Sequence, residues 1–312
     1  VAFFPADKII CAAISAIVQT RSTDALKSLL PLLERGDSSI RLAVENAFGT
    51  LGKPEDAEDL LPLLKKGDSG LRECALNILG RIGAKENVND ILPFLKDCDK
   101  NVRYSAVFAL KTLKAGDTLE NILPMLKDSN SYVRSAALSA IAEFGSNDII
   151  PDIMPMLKDG DSNVRCNAVS ALQSVGAKDA VENVRAMLKD TDPDVRAQEI
   201  AILSGLGVKA SVEDIRPLLK DDNPNVRANA IDALAYFKVE GASDDIFPML
   251  KDKNERVRER ASAALVRLGA GNTDTFIALL FDENNQVRRD AVRNLSKKST
   301  PEDLSKIRLL LK

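Results

Sequence analysis

The 312-residue chain contains no histidine, and with it go the commonest general base and the commonest metal ligand. Three kinds of residue remain that could do chemistry: four cysteines, one carboxylate out of pattern and a regularly spaced series of arginines. Cys11, Cys74, Cys98 and Cys166 show no CxxC or paired spacing, so free thiols in a reducing cytoplasm are expected, not a disulfide frame or a zinc site. Glu199 stands where seven other copies of the local pattern carry alanine. A buried charge is costly unless paired, so it reads as a snorkelling or arginine-paired side chain, or else as a catalytic acid or partner contact; the first is favoured. No Ser/His/Asp or Cys/His set can be assembled, and neither a P-loop nor a G-x-G-x-x-G stretch follows a strand. The chain therefore reads as a non-enzyme, with no catalytic, cofactor-binding or metal-ligating residues and no cofactor.

The arginines are Arg41, Arg72, Arg103, Arg134, Arg165, Arg196, Arg227, Arg258 and Arg288, and seven of their eight spacings are 31 residues, the last being 30. Such a stripe could meet nucleic acid. One arginine per period at the start of a capped helix is better explained by bonds to neighbouring carboxylates and carbonyls, and a net charge of −3 with a pI near 5.4 agrees. The charge is uneven, however. Residues 251–312 hold 14 Lys/Arg against 9 Asp/Glu, a net of +5 that leaves −8 for the rest. Arg256, Arg260, Arg267, Arg289, Arg293, Lys297 and Lys298 form either a basic terminal patch for an acidic partner or a plain solvated end, the latter favoured.

Other registers lock to the arginine. Four residues earlier stands Asp37, Asp68, Asp99, Asn130, Asp161, Asp192, Asn223, Asn254 or Asn284, a good N-cap for the helix that follows. Apolar residues at −1, +3, +4, +7 and +10 make one helical stripe. At +11, Gly52, Gly83, Gly145, Gly176, Gly207 and Gly269 suit a left-handed helix end. This is helix B of a pair. Helix A lies upstream in segments such as DILPFLKD and NILPMLKD. At −10 it carries Pro31, Pro62, Pro93, Pro124, Pro155, Pro217 or Pro248, and a proline inside a helix bends it. Two helices of about 12–14 residues fill each period. The expected order is a lone B-type helix near residues 7–19, nine A–B pairs, and a lone A-type helix near 301–311. No linker interrupts the series, so residues 1–312 read as one continuous array. It begins at Val1 in mid-pattern, as a piece of a longer chain would.

The motif D-x-x-V-R-x-x-A, followed by A-L and Gly, stands as DKNVRYSAVFAL at 99–110, DSNVRCNAVSALQSVG at 161–176 and DPDVRAQEIAILSGLG at 192–207. It resembles HEAT-like repeats, in particular the short class related to phycobilin lyase repeats, over essentially the whole chain. The resemblance implies an all-α, right-handed superhelix with B helices on the concave face. It also implies a polar ladder made by the nine arginines and the nine capping Asp/Asn residues, ending at Arg41 because Ile10 takes the arginine register before it. The family hosts scaffolds, transport receptors, lyase subunits and a few enzymes, so the fold alone does not assign a function. Its di-iron hydroxylases need His–Glu ligand pairs and its DNA glycosylases an aromatic-rich basic cleft; this chain has neither histidine nor tryptophan.

The open face of helix B, at +1, +2, +5, +8 and +9, is small and nearly uncharged in the middle repeats. It includes Ser135, Ser139, Asn167, Ser170, Gln173 and Gln198, flanked by Tyr104, Phe108 and Tyr236 as anchors. Two readings stay open: a groove for a partner peptide or helix, or small residues imposed by tight curvature. Composition fits a helical array, with 45% apolar residues, only 4% aromatic and 29% charged. No apolar run reaches the roughly 20 residues of a membrane span, and no signal peptide is expected at the N-terminus. The leading expectation is a cytoplasmic protein-interaction scaffold. A phycobilin-lyase-like or other auxiliary subunit is the alternative, and nucleic-acid binding through the basic C-terminal end is third.

Overall fold

The computed structural model describes residues 6–35, 37–176, 185–205, 207–208, 211–270 and 273–298. They belong to two compact units, Val1–Gly176 and Ala177–Lys312. Among the described residues the regular elements are all helical. The A-type helix expected near 301–311 lies outside them.

Unit 1 opens with α1 (Ala6–Thr20), followed by the B helices α2 (Ser38–Leu51), α3 (Ser69–Ile82), α4 (Lys100–Thr112), α5 (Ser131–Phe144) and α6 (Ser162–Ser174). Unit 2 contains B helices α7 (Pro193–Gly205), α8 (Pro224–Phe237), α9 (Glu255–Leu268) and α10 (Asn285–Lys298). Within each unit successive B helices pack side by side, and each also packs on its own A segment. The contact surface is the apolar stripe: Val102, Val133, Val164, Val226 and Val257 at −1, and Ala106, Ala137, Ala168, Ala230 and Ala261 at +3, are completely buried. Alanine at +3 brings neighbouring B backbones close, and the larger residues at −1 and +4 fill the space behind it.

Each B helix of the nine pairs starts on its cap. Asp37 accepts from the Ser39 and Ile40 amides, Asp68 from Leu71, Asp99 from Asn101 and Asp161 from Asn163. Asn130, Asp192, Asn223, Asn254 and Asn284 do the same in their own repeats. The helix ends vary more. Gly83, Gly176, Gly207 and Gly269 take the left-handed conformation (φ +77°, +71°, +70° and +64°), whereas Gly52 and Gly145 are extended. At Gly145 a Cβ would collide with the Ile149 side chain, so room rather than handedness requires glycine there. Conversely, Lys114 and Lys238 occupy the same register with φ of 56° and 48°, a conformation that strains an L side chain.

The A segments differ from the expected bent helix. In five repeats a four- or five-residue α-turn gives way to a five-residue 3-10 stretch: Leu92–Lys96, Leu123–Lys127, Met154–Lys158, Arg216–Lys220 and Phe247–Lys251. The register proline (Pro93, Pro124, Pro155, Pro217 or Pro248) is the second residue of each stretch. With no N–H to offer, it breaks the i→i−4 series, and the chain tightens to i→i−3 bonding instead of bending smoothly. In Ala57–Lys66 the proline, Pro62, sits inside a continuous α-helix, and Pro31 is the second residue of the α-helix Leu30–Arg35.

The repeats are joined by an arginine clamp whose acidic partner is not the capping residue. Arg103 donates from Nε and Nη2 to both carboxylate oxygens of Asp128 (2.6 and 2.9 Å), and from Nη1 to the Asp97 carbonyl (2.9 Å). Asp128 lies six residues before the next arginine, not four. The same bidentate pairs join Arg72 to Asp97, Arg134 to Asp159, Arg196 to Asp221, Arg227 to Asp252 and Arg258 to Asp282. Arg165 and Arg288 anchor through Nη1 to the carbonyls of Asp159 and Asp282. Arg41 is the exception: Lys66 and Gly67 precede the second cap, and its fork closes on the cap itself, Asp68. The clamp aspartate also accepts from the backbone amide two residues on, as Asp128 does from Asn130 (2.8 Å). Burial alone would raise the Asp128 carboxyl. The Arg103 hydrogen bond, the Asn130 amide and the guanidinium charge together outweigh it and hold the group below its ordinary value. Its contribution to stability is present above the normal carboxylate range and is lost as pH falls through the lowered folded value.

Two stability measurements separate these roles. Asp128→Asn should lower the urea midpoint by the equivalent of about 2 kcal/mol, the cost of breaking a largely buried charge-assisted pair; Asp99→Asn, which changes a cap and not a clamp, should stay within about 0.5 kcal/mol of the parent. Equal losses would refute the assignment. Lys114→Gly and Lys238→Gly should each raise stability by about 0.5–1 kcal/mol by relieving left-handed strain, read as an upward shift in thermal midpoint.

Candidate functional site

The outward rows of the B helices carry the exposed aromatic side chains expected as anchors. On α4, Tyr104 and Phe108 stand one turn apart, each 40% exposed. Their rings are nearly parallel, with 6.4 Å between centroids and 10° between planes. Toward the next repeat Lys111 donates to Ser139 Oγ on α5 (2.6 Å), and Ser135 beside it is half-buried. On α6, Asn167 and Ser170 are half-buried and Gln173 is exposed, while the Ser170 carbonyl accepts from Ser174. These seven residues share unit 1. Gln198 and Tyr236 belong to unit 2. Gln198 is half-buried, and Tyr236 is 62% exposed with its ring edge-on to Phe237, 5.4 Å between centroids.

The small, neutral strip expected from the middle repeats does not extend to α2 and α3. There Leu42 stands at +1 on α2, Glu73 and Arg81 occupy the rows on α3, and Glu45 on α2 reaches them from the inner register +4. Arg81 forms an ion pair with Glu45 (3.3 Å) and donates to Asn46 (2.9 Å), and Asn77 donates to Glu45 (3.4 Å). A depression of about 280 Å3 lies between the two helices, lined by Ser38, Arg41, Leu42, Glu45, Gly70, Glu73 and Cys74. Leu42 is 54% exposed. Burial pushes the Glu45 carboxyl up, opposed by Arg81 and Asn77. Glu73 is also raised, by burial first and then by the nearby Asp99 and Glu45 carboxylates. Cys74 is pushed up to about 12 by burial and by Glu45, so its thiol stays protonated and unreactive near neutrality. Sequence reasoning passed over Leu42, Glu45, Glu73 and Arg81. The signal was there, since Leu42, Glu73 and Arg81 break the small-residue pattern at registers +1 and +9, and Glu45 breaks the apolar stripe at +4.

The basic residues of unit 2 are partly neutralised from within. Arg260 and Arg267 both pair with Asp232 on α8 (3.2 and 2.5 Å). Arg256 donates to Asn225, Arg289 to Asn285, and Arg293 pairs with Asp290 at 3.6 Å. The Lys297 and Lys298 side chains lie outside the described residues. Among the described residues no group of three or more His, Cys, Asp or Glu is placed to hold a metal ion, and no helix is long and apolar enough to cross a membrane.

Glu199 neither snorkels nor pairs. It is completely buried on α7, and neither carboxylate oxygen has a hydrogen-bond partner. Burial pushes it up to about 8, so the folded protein holds a proton there that the unfolded chain gives up above pH 4.5.

An all-α helical-repeat superhelix, with repeats clamped by arginine forks, is the class these features define. The chain belongs to the HEAT-repeat family: the family model described as HEAT repeats matches residues 119–204 and 212–296, more than half its length. No curated protein matches its sequence. Among solved structures it is similar to an engineered protein at 19% identity and a TM-score of 0.50, covering 92% of this chain and 90% of that one. It is similar to the Escherichia coli protein YibA at 20% identity and a TM-score of 0.63, covering 84% and 98%. It is also similar to importin beta at 14% identity and a TM-score of 0.67, covering 94% of this chain and 50% of that one. At such identities the likeness concerns the fold alone.

Glu199 gives a prediction with a definite sign. Its folded value is raised, so its contribution to stability is greatest below pH 4.5 and falls by about 1.4 kcal/mol per unit of rising pH up to about 8, levelling off above. Glu199→Ala, which restores the residue found at +3 in seven repeats, should gain more stability at pH 8 than at pH 5 in urea titrations followed by circular dichroism. A gain independent of pH would show that the carboxyl is solvated or paired.

Proposed function

We propose that the protein is a non-catalytic interaction scaffold that holds a peptide or helix of a partner protein on the outward rows of its B helices. The observation that carries this reading is the stacked Tyr104–Phe108 pair, two aromatic rings kept 40% exposed beside the small, polar rows of the next two B helices. Aromatic anchors amid small, adaptable hydrogen-bonding residues are the composition of a binding hot spot. Ser135, Ser139, Asn167, Ser170 and Gln173 let a partner backbone approach, and Gln198 and Tyr236 serve the same purpose in unit 2. The 31-residue spacing runs unbroken from Arg165 to Arg196, which supports treating residues 1–312 as one array. Four free thiols support a reducing, cytoplasmic setting.

A photo-cross-linking residue placed at 104 should capture a host protein that is not captured from position 132, where Tyr132 is 70% exposed but lies outside the row. Tyr104→Ala combined with Phe108→Ala should then weaken the captured partner at least tenfold with an unchanged melting curve. Equal capture at both positions, or unchanged affinity, would overturn the reading.

A further inference from the structure

Three successive B helices of unit 1 each present one side chain directly after the clamp arginine: Leu42 on α2, Glu73 on α3 and Tyr104 on α4. Leu42 and Tyr104 are exposed apolar groups, and Leu42 and Glu73 line the same depression. The cationic groups beside Glu73 are already engaged. Arg41 is held by Asp68 and the Leu33 carbonyl, and Arg81 by Glu45 and Asn46. Among the described residues no ion pair or hydrogen bond reaches the half-buried Glu73 carboxylate; its neighbours Asp99 and Glu45 repel it. Arg41 attracts it only from a distance, through charge and no hydrogen bond, so the row reads apolar, negative, aromatic.

Packed helices stand about 8–10 Å apart. A polyproline II chain advances about 3.1 Å per residue with three residues per turn, so every third side chain lies on one side, about 9.3 Å from the last. A β-strand would turn residues three apart to opposite sides, and a helix has no free backbone groups to offer Asn46 and Asn77, which flank the row. We propose that this row binds an extended, polyproline II-like partner segment with the pattern apolar-x-x-Lys/Arg-x-x-apolar, its cation seated on Glu73 and its apolar residues on Leu42 and Tyr104. The inference rests on the scaffold reading and specifies the chemistry of the partner.

The probe is a fluorescent Leu-Pro-Pro-Lys-Pro-Pro-Leu peptide followed by anisotropy on the full chain. It should bind the parent protein and lose about tenfold in affinity with Glu73→Gln. In Glu73→Lys the preference should invert toward the same peptide carrying Glu in place of Lys. Melting curves establish that both variants fold, and charge inversion is a readout that a structural role for Glu73 would not produce. Absence of binding, equal affinity for the Lys and Glu peptides, or tighter binding of a helical peptide with the same three side chains seven apart would each overturn the inference. If a partner is still captured from position 104, the scaffold reading survives that failure; if nothing is captured there, both fall.

Discussion

One guanidinium fork per repeat sets the geometry on which everything else depends. An arginine presents its donors in a fixed plane. Arg103 uses one edge on the Asp128 carboxylate of the next repeat and the remaining nitrogen on the Asp97 carbonyl of its own turn. Asp128 is itself tied to the Asn130 amide, and Asn130 caps α5. A continuous run of bonds thus passes from one helix start to the next. A lysine, with a single flexible ammonium, could neutralise the aspartate but could not fix the angle between the two turns. The stabilising energy comes mainly from the valine and alanine stripe, because a largely buried ion pair repays little beyond its own desolvation. What the pair adds is register: it fixes which residue of one repeat faces which residue of the next.

That division of labour explains what could be read from sequence. The caps were legible because capping is local: an oxygen four residues before the arginine needs only the amides just ahead of it. The clamp partner was not, because several loops (Asp97/Asp99, Asp159/Asp161, Asp190/Asp192) offer acids at both −6 and −4, and no local rule chooses between them. Repetition within the chain does choose. The capping position alternates between Asp and Asn, as a site that needs only an acceptor oxygen allows. The clamp position is Asp97, Asp128, Asp159, Asp190, Asp221, Asp252 and Asp282 without exchange for asparagine, as a site that needs the charge demands. The A segments were misjudged for a different reason. A proline near the middle of a twelve-residue apolar pattern permits either a bend or a change of helix type, and the short run between proline and loop favours the tighter turn.

The outward rows were legible only in part. Exposed aromatics at Tyr104, Phe108 and Tyr236 declared themselves by size, and the serine and asparagine rows by being unusually small. The charged knot of Glu45, Asn77 and Arg81 depends on residues 32 to 36 positions apart meeting across two helices, which a single-helix reading cannot see. Glu199 shows the opposite limit. Its register announced burial, but whether a partner would be waiting depends on neighbouring helices, and the structure supplies none for either oxygen.

Because the clamp, the cap and the apolar stripe take up registers −6 to 0 and the inner positions of each B helix, the outer registers can vary more, although some of them, such as Ser105 and Ala228, are still buried. The first register after the arginine shows this: from α2 to α6 it runs Leu42, Glu73, Tyr104, Ser135 and Cys166, five chemistries on one repeated frame. A compact enzyme gathers its functional groups from distant parts of the chain into one pocket. Here they are laid out in a row at the spacing of packed helices, so a ligand must be long to touch several of them, and its own repeat must match the helix spacing. On the scaffold reading proposed above, that requirement favours a chain molecule over a small substrate.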